Sequence, residues 1–419
     1  MIKKKVFFLF LLYIYSFIYI YNPISIYGVG LIYVIYCISI VSYFISYKDF
    51  NKLFLNKNIF LFFCAIIIII LYLLILYLLG GDGALTRAYS FILVILSFIS
   101  ATGITLFFKK HISNKMEDLI KFFIGLSLFQ LFFVFLSITV PEFRYWALSF
   151  TPEDNFILSN DLGSGLRSYG FASGYTSSFP VMMGLVSLFC IFLSLKTKKM
   201  LNRVFYILMF IFLIFSISIN ARIGLIPPLL SFLCLPLVLI RKLDIKILVV
   251  LMLVVYLIYL FLLDSILNLT YMGRLIQGFN EIEQLLINRE SIGTFLVLQD
   301  MWILPQDRIG LYFGEGESTL GGSQYQSDIG LVQDIFMYGI VFTILLFSSL
   351  LMLSTPLLLF FKRYFGLVFL LIFLFSIFCF YIKGIVFASN ELFRMLFILV
   401  IFSYTIKYKK NYSSRDEVL

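Results

Sequence analysis

The chain has 419 residues, of which 62% are apolar and 13% charged, with a formal net charge of +10 and a mean hydropathy of +1.05. A soluble domain of this length would carry about 25% charged residues, so composition excludes a water-soluble globular protein. It points to an all-α polytopic membrane protein, residues 1–419 forming one integral membrane domain, since each span takes about 20 apolar residues.

In chain order, twelve apolar segments lie at roughly 6–21, 26–47, 59–79, 88–108, 119–140, 179–195, 204–219, 223–240, 247–267, 331–354, 366–382 and 392–406. The first, after Lys3, Lys4 and Lys5, has the form of a secretory signal. No small-residue cleavage site follows, so it reads as an uncleaved span. Pro227 and Pro228 are expected to kink the eighth. The five cysteines all lie in apolar runs and read as small core hydrophobes. Two connecting segments are long, 141–178 and 268–330. The second opens with Leu275, Phe279, Ile282 and Leu286 at helical spacing, which predicts an amphipathic helix lying on the membrane surface.

Lys and Arg counts orient the chain. With both termini in the cytoplasm, 23 of the 32 cations fall on the inner side and 9 on the outer. The net charge is mostly this positive-inside signal and calls for no nucleic-acid partner. Cation identity is sorted as well. Of the inner 23, 19 are lysine; of the outer 9, 8 are arginine. Topogenic charge needs only a cation, whereas a planar guanidinium grips phosphate or carboxylate in bidentate fashion. Pairing with outer carboxylates or lipid headgroups is the other account of the same arginines.

Arg222 stands alone in SISINARIGLIPP, between two apolar runs. A cation there is costly unless partnered. Arg167 precedes Gly170, Gly174 and a row of hydroxyl residues. Such a loop can bring backbone N–H groups to an anion, or be an ordinary surface loop. Arg289 lies on the amphipathic segment, and Lys383 has no obvious partner in the sequence. Glu391 and Arg394 are three apart and are expected to pair on one helix face.

The segment from Phe313 to Val341 carries the acids Glu315, Asp328 and Asp334. Asp328 stands at a helix start, where it is either a cap or part of an anion site. Asp334 is six residues further on, about 9 Å deeper along a helix axis. An acid at that depth is a candidate site residue unless it faces other protein. Trp146, Trp302, Tyr169 and Tyr325 fall in the long segments. They suit either sugar packing or an interfacial aromatic belt.

Together these features resemble the bacterial O-antigen polymerase (Wzy) family, whose layout of about twelve spans with two long periplasmic loops, after the fifth and ninth, covers nearly the whole chain. Three local patterns carry the likeness: Arg167 with Gly170; Asn220, Arg222 and Gly224; and Gly314, Gly316, Ser327, Asp328 and Gly330. The paired Arg–x10–Gly motifs of some members are absent. The resemblance implies the polymerase–ligase (GT-C-like) architecture in the bacterial inner membrane. It also implies transfer of a glycan from undecaprenyl diphosphate to a hydroxyl of the next lipid-linked repeat. A chain-length regulator in the membrane would be a partner. Arg167, Arg222, Arg289 and Lys383 would neutralise the diphosphate. Gly170, Tyr169 and Tyr325 would lie along the glycan. No outer cluster has metal-ligand spacing, so metal-independent transfer without a cofactor is expected. His111, the single histidine, falls inside, so the base would be one of Asp328, Asp334 and Glu315.

Two rivals stand beside this. An O-antigen ligase of related architecture would use an outer histidine, which is missing here. A lipid-linked oligosaccharide flippase would show matched broken helices in two halves, and the long loops are not symmetric.

Overall fold

A computed structural model describes residues 2–23, 25–26, 29–148, 170–172, 178–239, 299–317, 327, 329–384 and 387–406. The expected ninth span, the amphipathic helix and most of the first long segment lie outside the described residues.

The described chain is helical throughout, apart from two-residue strands β1 (Ser25–Ile26) and β2 (Val29–Gly30) paired antiparallel. The helices are α1 (Ile2–Tyr21), α2 (Leu31–Ile45), α3 (Tyr47–Phe54), α4 (Lys57–Leu78), α5 (Ala84–His111), α6 (Met116–Thr139) and α7 (Pro141–Leu148). They continue as α8 (Ser178–Lys196), α9 (Met200–Asn220), a 3-10 turn (Arg222–Leu225) and α10 (Ile226–Leu239). Then follow α11 (Arg308–Phe313), α12 (Gly330–Tyr364), α13 (Leu367–Lys383) and α14 (Glu391–Thr405). Six are long and apolar enough to cross a membrane: α4, α5, α6, α8, α9 and α12. The pair α2 and α3, bent by 96°, adds a seventh if it forms one span. This is a membrane-embedded helical bundle.

Helices that are apolar all round belong in the middle of a bundle. That explains α8 and α14, buried on nearly every face. Phe62 of α4, Phe98 of α5 and Phe397 of α14 form a seam of rings beside the last of these. By contrast, α4 and α9 keep one apolar face outward, as lipid-facing helices do.

Contacts between helix ends sort the connecting segments into two groups. At one end, Lys109 Nζ donates to Thr405 O at 2.6 Å, Tyr364 OH donates to Glu117 at 2.7 Å, and Lys196 lies 3.5 Å over the Tyr364 ring. These residues all come from segments that the charge bias assigns to the inside. At the opposite end, Ser178 meets Glu391, Gly224 meets Pro180 and Gly330 meets Gly384.

Three expectations need amendment. Pro227 and Pro228 do not bend a helix middle. They occupy the first turn of α10, where a missing N–H has no intrahelical partner to lose. Glu391 and Arg394 do not pair. Arg394 instead donates to Ile20 O, at the tail of α1, and to Ser389 Oγ and O, while Glu391 accepts from Ser178. A helix tail concentrates unpaired carbonyls with a negative dipole end, which suits a buried guanidinium. Finally, the tenth span is not one rod. Gly339 breaks α12 with φ +77°.

Candidate functional site

The break at Gly339 organises one end of the bundle. Only glycine adopts that φ cheaply. A Cβ there would also lie 2.2 Å from Tyr312 O. The 308–316 segment docks on the break: Glu315 N–H donates to Phe336 O at 2.8 Å, and Gly83 N–H donates to Gly316 O at 3.0 Å. Residues 330–338 form a half-helix buried almost throughout. Its head touches Gly384 at the tail of α13, and its far end meets Tyr312 and Gly314, beside the turn into α5. Both belong to the same end of the bundle. The half-helix, roughly 13 Å long by helical rise, therefore lies across that end instead of descending.

That placement decides Asp334. It is not carried deeper along a span. Arg87 Nη2 donates to its Oδ1 at 2.5 Å, and Tyr381 OH donates to Oδ2 at 2.8 Å. Arg87 and Asp334 are 7% and 1% exposed, so both charges are out of water and satisfy each other. Phe91 and Tyr338 lie under the guanidinium, at 5.0 and 5.9 Å from ring centre. The carboxylate faces protein on both oxygens and ties the half-helix to α5 and α13.

Glu315 is placed differently. It is half-exposed, beside Asp307, whose side chain caps α11 by accepting from Gly310 N–H at 2.8 Å. Burial, with Glu317 and Asp307 adding to it, pushes the Glu315 carboxyl above the usual carboxylate range. Of the two candidate bases within the described residues it is the more exposed, and it shares a hydrogen bond with Asp307. Asp328 lies outside the described residues, as do Arg167, Arg289, Tyr169 and Tyr325.

Arg222 opens the 3-10 turn that leads straight into α10, with Ala221 as its cap. Asn220 closes α9 by donating to Ser216 O at 2.8 Å. The turn is wedged against the head of α8, since a Cβ on Gly224 would lie 2.4 Å from Pro180 O and one on Gly184 2.3 Å from Gly224 O. Two turns of backbone approach this closely only without side chains between them. Ser178, two residues before Pro180, donates to buried Glu391 at 2.5 Å. Six residues separate Lys383 from Asn390, the cap of α14, and Phe387 in that link packs edge-on against Tyr381. One end of the bundle therefore holds the heads of α8, of the 3-10 turn with α10, of α12 and of α14, together with Lys383. Four helix heads present amide N–H groups and positive dipole ends to one region. Gly170 packs on α6 with φ +57°, a Cβ there lying 3.0 Å from Gln130 Nε2.

Three functional signals were missed in the sequence. Arg87, the partner of Asp334, carries no local cue, since the two are 247 positions apart. Glu391 was assigned to Arg394. The third is the GGDG stretch at 80–83, where Gly81 packs directly on Gly316. Its density of glycines before a helix was the available cue.

The chain matches no family model, no curated protein and no solved structure.

Proposed function

We propose that the protein polymerises undecaprenyl-diphosphate-linked oligosaccharide repeats into O-antigen or a similar surface polysaccharide. It would work as a metal-independent glycosyltransferase at the outer face of a bacterial inner membrane. In this reading the chain has twelve spans with both termini cytoplasmic, and the end bearing the helix heads is periplasmic. The observation that carries it is the gathering of Arg222, Lys383 and four helix heads at the end that the Lys/Arg bias assigns to the outside. Such a place suits a diphosphate, because helix heads and guanidinium groups both favour anions, and apolar walls strengthen the attraction.

The chemistry follows from charge. The bond from the anomeric carbon to the diphosphate oxygen breaks, and the leaving diphosphate carries the electron pair. Arg222 and Lys383, with Arg167 and Arg289, offset the developing charge. The acceptor hydroxyl oxygen bonds to the anomeric carbon as it loses its proton to a carboxylate of the 313–330 segment, Asp328 or Glu315. A carboxyl with a raised pKa is the better proton acceptor. Asp334, already holding two donors, positions the half-helix.

Purified protein supplied with lipid-linked repeats should build a glycan ladder, and the ladder should persist in EDTA. Failure of wild-type protein to extend any lipid-linked repeat removes the polymerase. Activity lost in EDTA and restored by magnesium or manganese removes the arginine-based mechanism.

A further inference from the structure

The sharp elbow between α2 and α3 has a membrane-facing side of its own. The 15 residues of α2 reach about 22 Å by helical rise, less than the roughly 30 Å of a hydrocarbon core. Val34, Ile38, Val41 and Ile45 recur on it at helical spacing and are exposed, so a lipid-facing stripe runs to its last residue. The chain then turns by 96°. Helix α3 therefore runs across the end of α2, at the end of the bundle that the Lys/Arg bias assigns to the inside.

The two sides of α3 differ. Phe50 is 1% exposed, packed edge-on against Tyr43, and a Cβ on Gly103 of α5 would lie 4.0 Å from its ring. Phe54 packs on Phe63 and Phe98. Tyr43 OH donates to Asn51 Oδ1 at 3.2 Å, which ties α3 to the last turns of α2. The side away from Phe50 carries Lys48 and Lys52, one turn apart and both exposed. Lys57, exposed at the start of α4, follows on the same elbow. Asp49 is the only acid from 48 to 58, and no ion pair joins any of the three lysines to a carboxylate among the described residues. The same elbow presents Leu55, 83% exposed, and Ile45, 78% exposed.

Water around this elbow would meet two large apolar side chains, and hydrocarbon would meet three ammonium groups without a counter-charge. The boundary between acyl chains and headgroups satisfies both. There the apolar residues enter the acyl layer, while the lysine stems lie along it and carry their charge to the polar side. A layer of anionic headgroups supplies the counter-charge that the protein does not.

We infer that α3 lies in the headgroup plane of the leaflet at its end of the bundle, and that Lys48, Lys52 and Lys57 bind the phosphates of anionic phospholipids there. The site does not depend on the polymerase reading. A purely topogenic role for these lysines ends once the chain is inserted, whereas a headgroup site persists in the purified protein.

The test is lipid retention by full-length protein immobilised in detergent. Phosphatidylglycerol and phosphatidylcholine with identical acyl chains are offered together, the column is washed, and the bound lipid is extracted and quantified. Wild-type protein should retain phosphatidylglycerol in preference. A lysine at the surface is worth roughly a fivefold preference for anionic lipid, so Lys48→Gln with Lys52→Gln should lower the ratio several-fold. Lys198→Gln with Lys199→Gln removes the same charge from another inner segment and should leave the ratio near wild type. If the 48/52 variant fails to accumulate, wild type decides by screening: a ratio that does not fall between about 0.1 M and about 1 M salt overturns the site. An unchanged ratio in the 48/52 variant overturns it, and so does an equal fall in both double variants, which reduces the effect to net charge. Poly-glutamate retained in place of phosphatidylglycerol, and lost in the 48/52 variant, makes the face a dock for an acidic peptide and overturns the lipid assignment. A dimer on size exclusion that Leu55→Ser disperses makes the elbow a contact between copies and overturns it too.

Discussion

The Arg87–Asp334 pair offers a direct measurement of what holds the half-helix across the bundle end. Asp334→Ala removes the 2.5 Å contact to Arg87 and the 2.8 Å contact from Tyr381, and leaves a guanidinium that is 7% exposed without its counter-charge. Removing one partner of a buried pair costs about 3–5 kcal/mol, because the remaining charge cannot return to water. A domain's whole stability is about 5–15 kcal/mol, so the single variants Asp334→Ala and Arg87→Ala should each accumulate poorly in the membrane. The double variant Arg87→Met with Asp334→Leu removes both charges at similar volume. It should recover most of the loss, with a coupling energy of at least about 2 kcal/mol. The assay is unfolding by SDS in mixed micelles for wild type, both singles and the double, followed by far-UV circular dichroism. Additive losses would refute the pairing. Asp334→Asn at normal membrane level and normal stability, yet without any glycan ladder, would refute the positioning role, since the carboxylate would then be acting on substrate.

Arg222→Lys keeps the charge and loses the planar fork, so the ladder, normalised to polymerase in the membrane, should fall roughly 30- to 1000-fold, with Arg222→Ala lower still. A full-length ladder from Arg222→Lys would remove it from the site. Gly339→Ala should destabilise by more than about 2 kcal/mol, since it combines a disfavoured φ with a Cβ 2.2 Å from Tyr312 O. Gly366→Ala, with φ +100° and nothing within 4 Å of its Cβ, should cost only the strain, and equal losses in the two would contradict the docking of the 308–316 segment. The Glu315 carboxyl is held above its ordinary value, chiefly by burial, so its contribution to stability is complete below about pH 4, the unfolded value, and fades as pH rises through the raised folded value. The thermal midpoint should therefore lose a decrement across weakly acidic pH that Glu315→Gln lacks. An identical pH profile in the variant would show that Glu315 is not perturbed.

What the sequence by itself determined was the position of several long apolar helices and the uneven distribution of charge along the chain. Both are one-dimensional quantities. A run of about 20 apolar residues becomes a helix in hydrocarbon because no water is available to satisfy its backbone, and this placed α4, α5, α6, α8 and α9 within a few residues of their described ends. Arg222 was legible for the same reason, as an isolated cation in an apolar stretch. The tertiary structure alone decided which polar groups meet. Arg87 and Asp334 are 247 positions apart, and Ser178 and Glu391 are 213 apart. No spacing rule spans such distances, so a depth count along an unbroken helix sent Asp334 inward and a three-residue interval joined Glu391 to Arg394. The break at Gly339 overturned the first count, since a positive φ redirects everything before it. The docking of Ser178 on the head of α14 overturned the second, because α8 and α14 pack as the bundle's core and bring their heads together.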